Sequence, residues 1–118
     1  MQVRIDRDSV CAGDDVDTHD RVLSGPDSET LEGLVTNVVH AYALPLIAGG
    51  RATWCLASRR PIAVVAQEWR SPRMLPWQTR PVSDCKIVDG VVWLHFTYLA
   101  QIDPDVAFEV LRRLHLEE

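Results

Sequence analysis

The spacing of apolar residues changes along this chain, and the changes mark out its elements. From Gln2 to Asp6 polar and apolar residues alternate with Val3 and Ile5 on one side, the two-residue period of a short strand. Leu31, Leu34, Val35, Val38, Val39 and Tyr42 fall at i, i+3, i+4, i+7, i+8 and i+11, an unbroken helical stripe with Asp27 or Ser28 as the expected cap. Pro45 and Gly49-Gly50 are expected to bring that helix to an end.

Beyond the glycines the pattern turns to strands. Arg51 to Ser58 and Pro61 to Trp69 are rich in β-branched, aromatic and small apolar residues and flank Arg59-Arg60, which predicts an antiparallel hairpin. Val82 to Val88 and Val91 to Leu99 flank Asp89-Gly90, a dipeptide that tolerates the positive φ angles of a two-residue type I′ turn. With Val88 opposite Val91, one face carries Ser83, Cys85, Ile87, Val92, Leu94, Phe96 and Tyr98 and reads as core. The other face pairs Lys86 with Trp93 and Asp84 with His95.

Asp103 as N-cap and Pro104 at the first helical position start a last helix, with Val106, Ala107, Val110, Leu111 and Leu114 as its apolar stripe and Glu109 and Arg113 one turn apart. The order strand, helix, four strands in two hairpins, helix predicts an α+β fold. It would be a small antiparallel or mixed sheet of about five strands, with the two helices packed on one face.

Composition sets the scale. The 118 residues, 47% hydrophobic and 25% charged, suit one globular domain spanning the whole chain, 1–118. No apolar run approaches the roughly 18–20 residues that cross a bilayer, and the N-terminus lacks the apolar stretch of a secretory signal, so no membrane association and a cytoplasmic location are expected. Cys11, Cys55 and Cys85 are odd in number, widely spaced and without a CxxC pair, which points to reduced, mostly buried thiols.

Charge changes the picture more. Of the 17 acidic residues six lie between Asp6 and Asp20, and of the 12 basic residues one, which leaves 11 of each in the rest of the chain. The net charge of -5 is therefore a local property of that window. Such a segment attracts cations or basic proteins and repels nucleic acid. Asp14, Asp15, Asp17 and Asp20 lack the alternate spacing and closing glutamate of a calcium loop, so no metal is expected there. Cys11 lies among carboxylates that disfavour its thiolate, and Gly49-Gly50 has no phosphate-loop pattern around it, so neither a cysteine nucleophile nor a nucleotide cofactor is expected. Asp84 and His95 could form half of an acid–base dyad, although charged pairs of this kind are routine on the solvated face of a hairpin. The stretch from Arg70 to Pro81 carries three arginines, three prolines, Met74 and Trp77, and reads as a stiff basic loop whose prolines and Trp77 hold a long connection against the core, with protein contact the next reading and nucleic acid the last.

Three segments, Arg7 to Asp15 (RDSVCAGDD), Leu44 to Gly50 (LPLIAGG) and Ile62 to Trp69 (IAVVAQEW), resemble small bacterial immunity proteins of contact-dependent growth inhibition and related polymorphic toxin systems. The resemblance implies a cytoplasmic, non-catalytic protein that binds one cognate toxin domain, often a nuclease, and blocks its active site. A nuclease site is basic because it binds phosphates, so the acidic window (Asp14, Asp15, Asp17, Asp20) would steer docking, while Arg73, Met74 and Trp77 or Trp93 and His95 would anchor it. The competing expectation is a small hydrolase-like or metal-binding enzyme that uses the Asp84–His95 pair or the acidic loop.

Overall fold

In the computed structural model of the protein the described residues are 1–11, 13–14, 18–24, 30–76 and 80–116, with 115–116 described by their backbone alone. They form an α+β fold of seven strands and two α-helices. No helix among them is long and apolar enough to cross a membrane.

The centre of the sheet is β7 (Val91–Tyr98), whose eight residues alternate between buried and partly exposed, with Val92, Leu94 and Phe96 inward. β1 (Gln2–Arg7) pairs parallel with it along one edge and is flanked by the short β2 (Arg21–Ser24). The opposite edge of β7 is shared. Its start pairs with β6 (Lys86–Val88) through the Asp89-Gly90 turn, and its end pairs with β3 (Thr53–Ser58). β4 (Arg60–Ala66) and the two-residue β5 (Arg73–Met74) continue the sheet beyond β3.

The second hairpin has the expected register. Val88 pairs with Val91 and Lys86 with Trp93, and Asp89 and Gly90 have φ of 51° and 78°, as a type I′ turn requires. Its first strand is shorter than expected, because Val82–Asp84 form a 3-10 turn, and Ile87 lies 42% exposed at the sheet's outer corner instead of in the core. Ser58, buried where β3 gives way to β6, donates from Oγ to the Trp93 carbonyl at 2.6 Å and accepts from the Lys86 amide at 2.8 Å. One hydroxyl thereby satisfies backbone groups at the point where β7 changes partner. In the first hairpin Ser58 pairs with Arg60, so the turn is made at Arg59, with φ of 67°.

Helix α1 (Leu31–Ala41) is capped by Thr30, whose hydroxyl accepts from the Gly33 amide at 3.3 Å, instead of by Asp27 or Ser28, which lie outside the described residues. It ends at Tyr42, before Pro45, because Tyr42 turns into extended backbone and stacks on Phe96 with ring centroids 5.6 Å apart. Leu31, Leu34, Val35 and Val38 form one core with Ile5, Trp54, Leu56, Val65, Leu94 and Phe96. Met74 packs on that same face.

Helix α2 (Pro104–Leu116) takes the other face, where Arg73, the neighbour of Met74, reaches it through Asp105 at 2.8 Å. The expectation of both helices on one face is thus corrected. β4 is apolar on both sides, with Ala63 and Val65 toward α1 and Val64 toward α2, and can carry a helix on each. Asp103 caps α2 by accepting from the Asp105 amide at 2.9 Å. The helix buries Pro104 and Ala107 and half-buries Phe108 and Leu111, whereas Val106, Val110 and Leu114 of the expected stripe face solvent.

Candidate functional site

Among the described residues α2 meets the sheet at β4, and on the same face the side chains of β1, β7 and β6 stay partly or fully exposed. Side chains that alternate away from α1 meet there in cross-strand rows. In one row Arg4, Trp93 and Lys86 are paired neighbours on three strands. The Arg4 guanidinium lies 4.3 Å and the Lys86 ammonium 4.8 Å from the indole centroid, so Trp93 is flanked by a cation from each neighbouring strand. The next row joins Asp6, His95 and Ala57. Together with Ser58 and Arg59 these residues line a shallow basin of about 400 Å³.

His95 is held on both sides. Its Nδ1 lies 2.6 Å from Asp6 Oδ1 and its Nε2 2.8 Å from Asp8 Oδ1, while the other oxygen of Asp8 accepts the Tyr98 amide at 2.9 Å. Burial by itself would lower the imidazole pKa, but hydrogen bonds and charge from the two carboxylates outweigh it and raise the value above that of an ordinary histidine. As an imidazolium His95 donates to both carboxylates, and neither ring nitrogen is then free to accept a proton.

The acidic segment folds back onto the chain. Asp20 pairs with Arg4, which also lies 3.6 Å from Asp6. Asp14 takes both ends of the Arg7 guanidinium and accepts the Val10 amide at 3.0 Å. The bond from Arg7, with that amide's help, holds the Asp14 carboxyl far below the usual carboxylate range. His19 sits between Ser9 Oγ at 3.2 Å and Asp14 at 3.6 Å, and its carbonyl accepts the Tyr42 hydroxyl at 2.6 Å.

Of the residues singled out from sequence, Trp93, His95 and Asp20 come together at this face, whereas Asp14 is engaged by Arg7. Asp15, Asp17 and Trp77 lie outside the described residues. Arg73 and Met74 belong to β5, at the far end of the strand order. Arg73 stacks over Trp69 at 4.1 Å and pairs with Asp105, which ties α2 down, and Met74 is half-buried against the core. The Asp84–His95 pair does not form. The 3-10 turn lifts Asp84 off the strand to Arg80 at 3.4 Å, and β3 takes the edge of β7 beside His95.

Sequence alone does not mark Arg4, Asp6 and Asp8 as partners of Trp93 and His95, because their partner strand is β7 and the Asp6–His95 contact spans 89 positions. The signals for them are the alternation around Val3 and Ile5, which sends Arg4 and Asp6 to the opposite face, and the acidic window, which begins at Asp6 and includes Asp8. Among the described residues no cluster of three or more His, Cys, Asp or Glu is arranged to hold a metal ion. Burial pushes the Cys55 thiol up to about 11 and raises that of Cys85, so both stay protonated, and Cys11 is exposed.

The open face therefore offers an aromatic residue fixed between two cations and rimmed by paired carboxylates. Arg4, Lys86, Asp6 and His95 are each held by a neighbour on this face. Protein families, curated proteins and solved structures, compared with this chain, yield no match.

Proposed function

We propose that the chain is an immunity-type inhibitor that binds one toxin domain, a nuclease with a basic active site, through the open face of its sheet and the acidic segment beside it. The observation that carries this reading is the Arg4–Trp93–Lys86 row with Asp6, Asp8, Asp20 and His95 around it. Tryptophan and arginine are the side chains that most often dominate binding energy in protein interfaces, and here they are pre-ordered by neighbouring strands. Both flanks of Trp93 are taken by cations, which leaves its ring less accessible to a stacked base and favours a protein surface. The excess negative charge between Asp6 and Asp20 would speed encounter with a basic partner, and occlusion of the partner's phosphate site would neutralise it. In this reading the chain works in the cytoplasm, uses no cofactor or metal and catalyses nothing.

The experiment is co-expression of the chain with the product of the neighbouring gene. The reading expects that product to kill cells lacking the chain, to co-purify with it, and to lose both complex and protection when Trp93 is replaced by alanine. A neighbouring product that is harmless, or that never forms a complex with the chain, overturns it.

A further inference from the structure

Helix α2 is apolar on more of its circumference than it buries. Pro104, Ala107, Phe108 and Leu111, at i, i+3, i+4 and i+7, turn toward the β4–β5 end of the sheet. A second stripe stands alongside, with Val106, Val110 and Leu114 exposed by 53%, 53% and 56%, and Ile102, two residues before the helix, exposed by 50%. Val106, Val110 and Leu114 recur every fourth position, which on a helix makes a continuous ridge. A surface helix with a single partner needs only one such stripe, so the second calls for another surface.

The charges beside the ridge point to its occupant. Asp105 and Glu109 lie toward the N-terminal half of the helix and Arg113 toward the C-terminal half, all along the same flank at spacings of four. When a helix packs antiparallel against its own copy about a two-fold axis at Val110, Val110 meets itself and Val106 meets Leu114 of the second copy. In that arrangement like flanks face each other, so Arg113 lands between Asp105 and Glu109 of the other helix, and the same match is repeated across the axis. A parallel pairing has no such match, because the opposite flank of the ridge is the one that carries Ala107 and Leu111 into the protein.

We infer that the chain self-associates into a two-fold dimer through an antiparallel α2–α2 contact, with Val106, Val110 and Leu114 as its seam and Glu109–Arg113 pairs across it. Val106 and Leu114 are separated by about 12 Å along the axis, which makes this a small interface and a concentration-dependent dimer. Glu109 exchanges its intrahelical partners, Arg112 at 2.8 Å and Arg113 at 4.0 Å, for Arg113 of the second copy at little cost, since all are exposed. The inference does not depend on the toxin reading, because this face is distinct from the Trp93 platform.

Sedimentation velocity on the full chain tests it. The wild-type protein should shift from monomer toward dimer as concentration rises to about 0.5 mM, and Val110→Glu should stay monomeric with an unchanged fold by circular dichroism. Glu109→Arg and Arg113→Glu should each weaken self-association about tenfold by setting like charges together. An equal mixture of these two variants should regain it, because each supplies the charge the other lacks, an effect that intrahelical pairing cannot produce. A wild-type chain that is monomeric throughout, a dimer that survives Val110→Glu, or a mixture no tighter than the variants alone overturns the inference. The first of these outcomes would assign the ridge to a different partner.

Discussion

His95 and Asp14 show how one group's charge is set by the side chains around it, and the two respond to pH in opposite senses. The folded His95 has a raised pKa, so it stabilises the fold fully below the unfolded value of about 6.5 and this contribution is lost as pH rises through the folded value. Proton NMR should place the imidazole midpoint above 6.5, and Asp6→Asn or Asp8→Asn should each lower it. A midpoint at or below 6.5 in the wild type would contradict the double carboxylate clamp. The folded Asp14 is depressed, so its contribution is present above the unfolded value of about 3.9 and disappears as pH falls below it. Between pH 5 and pH 2.5 the melting temperature of wild type should fall more steeply than that of Asp14→Asn; equal slopes would mean that the Arg7–Asp14 pair does not form in solution.

At the scale of elements the junction of β3, β6 and β7 depends on the Ser58 hydroxyl. Ser58→Ala removes a buried donor and acceptor and leaves the Lys86 amide and the Trp93 carbonyl short of a partner, at a cost of about 1–3 kcal/mol. For a domain of this size that corresponds to a drop of roughly 4–15 °C in melting temperature. The Lys86 amide should also exchange with solvent faster than those in the middle of β7, and an unchanged exchange rate would show that β6 is held by its turn alone. The elements themselves differed in how far they could be read from sequence. The α1 stripe and the Asp89-Gly90 hairpin announce themselves through local periodicity and turn chemistry. Strand β2 has four residues of which only Leu23 is partly buried toward the core, and β5 has two, in a proline-rich stretch. Such strands exist because an edge is available to pair with, which is a tertiary fact.

For the whole molecule the radius of gyration of 13.8 Å matches the roughly 13.5 Å of 118 residues folded around a single core. On that frame steering and anchoring can be separated. With the proposed partner, Asp20→Asn combined with Asp15→Asn and Asp17→Asn should slow association and flatten its dependence on salt, because long-range attraction is screened over about 10 Å at 0.1 M ionic strength. Trp93→Ala should instead raise the dissociation rate, by about 30-fold or more for a residue of hot-spot rank. Stopped-flow kinetics at two salt concentrations distinguish the two effects, and variants that leave both rates unchanged would remove this face from the interface.

Sequence by itself determined what depends on near neighbours. The α+β class, the helical stripe of α1, the cap of α2, the type I′ hairpin with Lys86 opposite Trp93, and the local origin of the charge all follow from spacings of a few residues. Tertiary structure alone decided that β1 lies parallel beside β7, which delivers Arg4 to Trp93 and Asp6 and Asp8 to His95. It also decided that Asp84 turns away to Arg80 and that Val106, Val110 and Leu114 of α2 are left uncovered. Long-range strand pairing carries no local signature, because any half-buried strand with a free edge offers the same backbone donors and acceptors. The choice among edges is made by how the whole core packs.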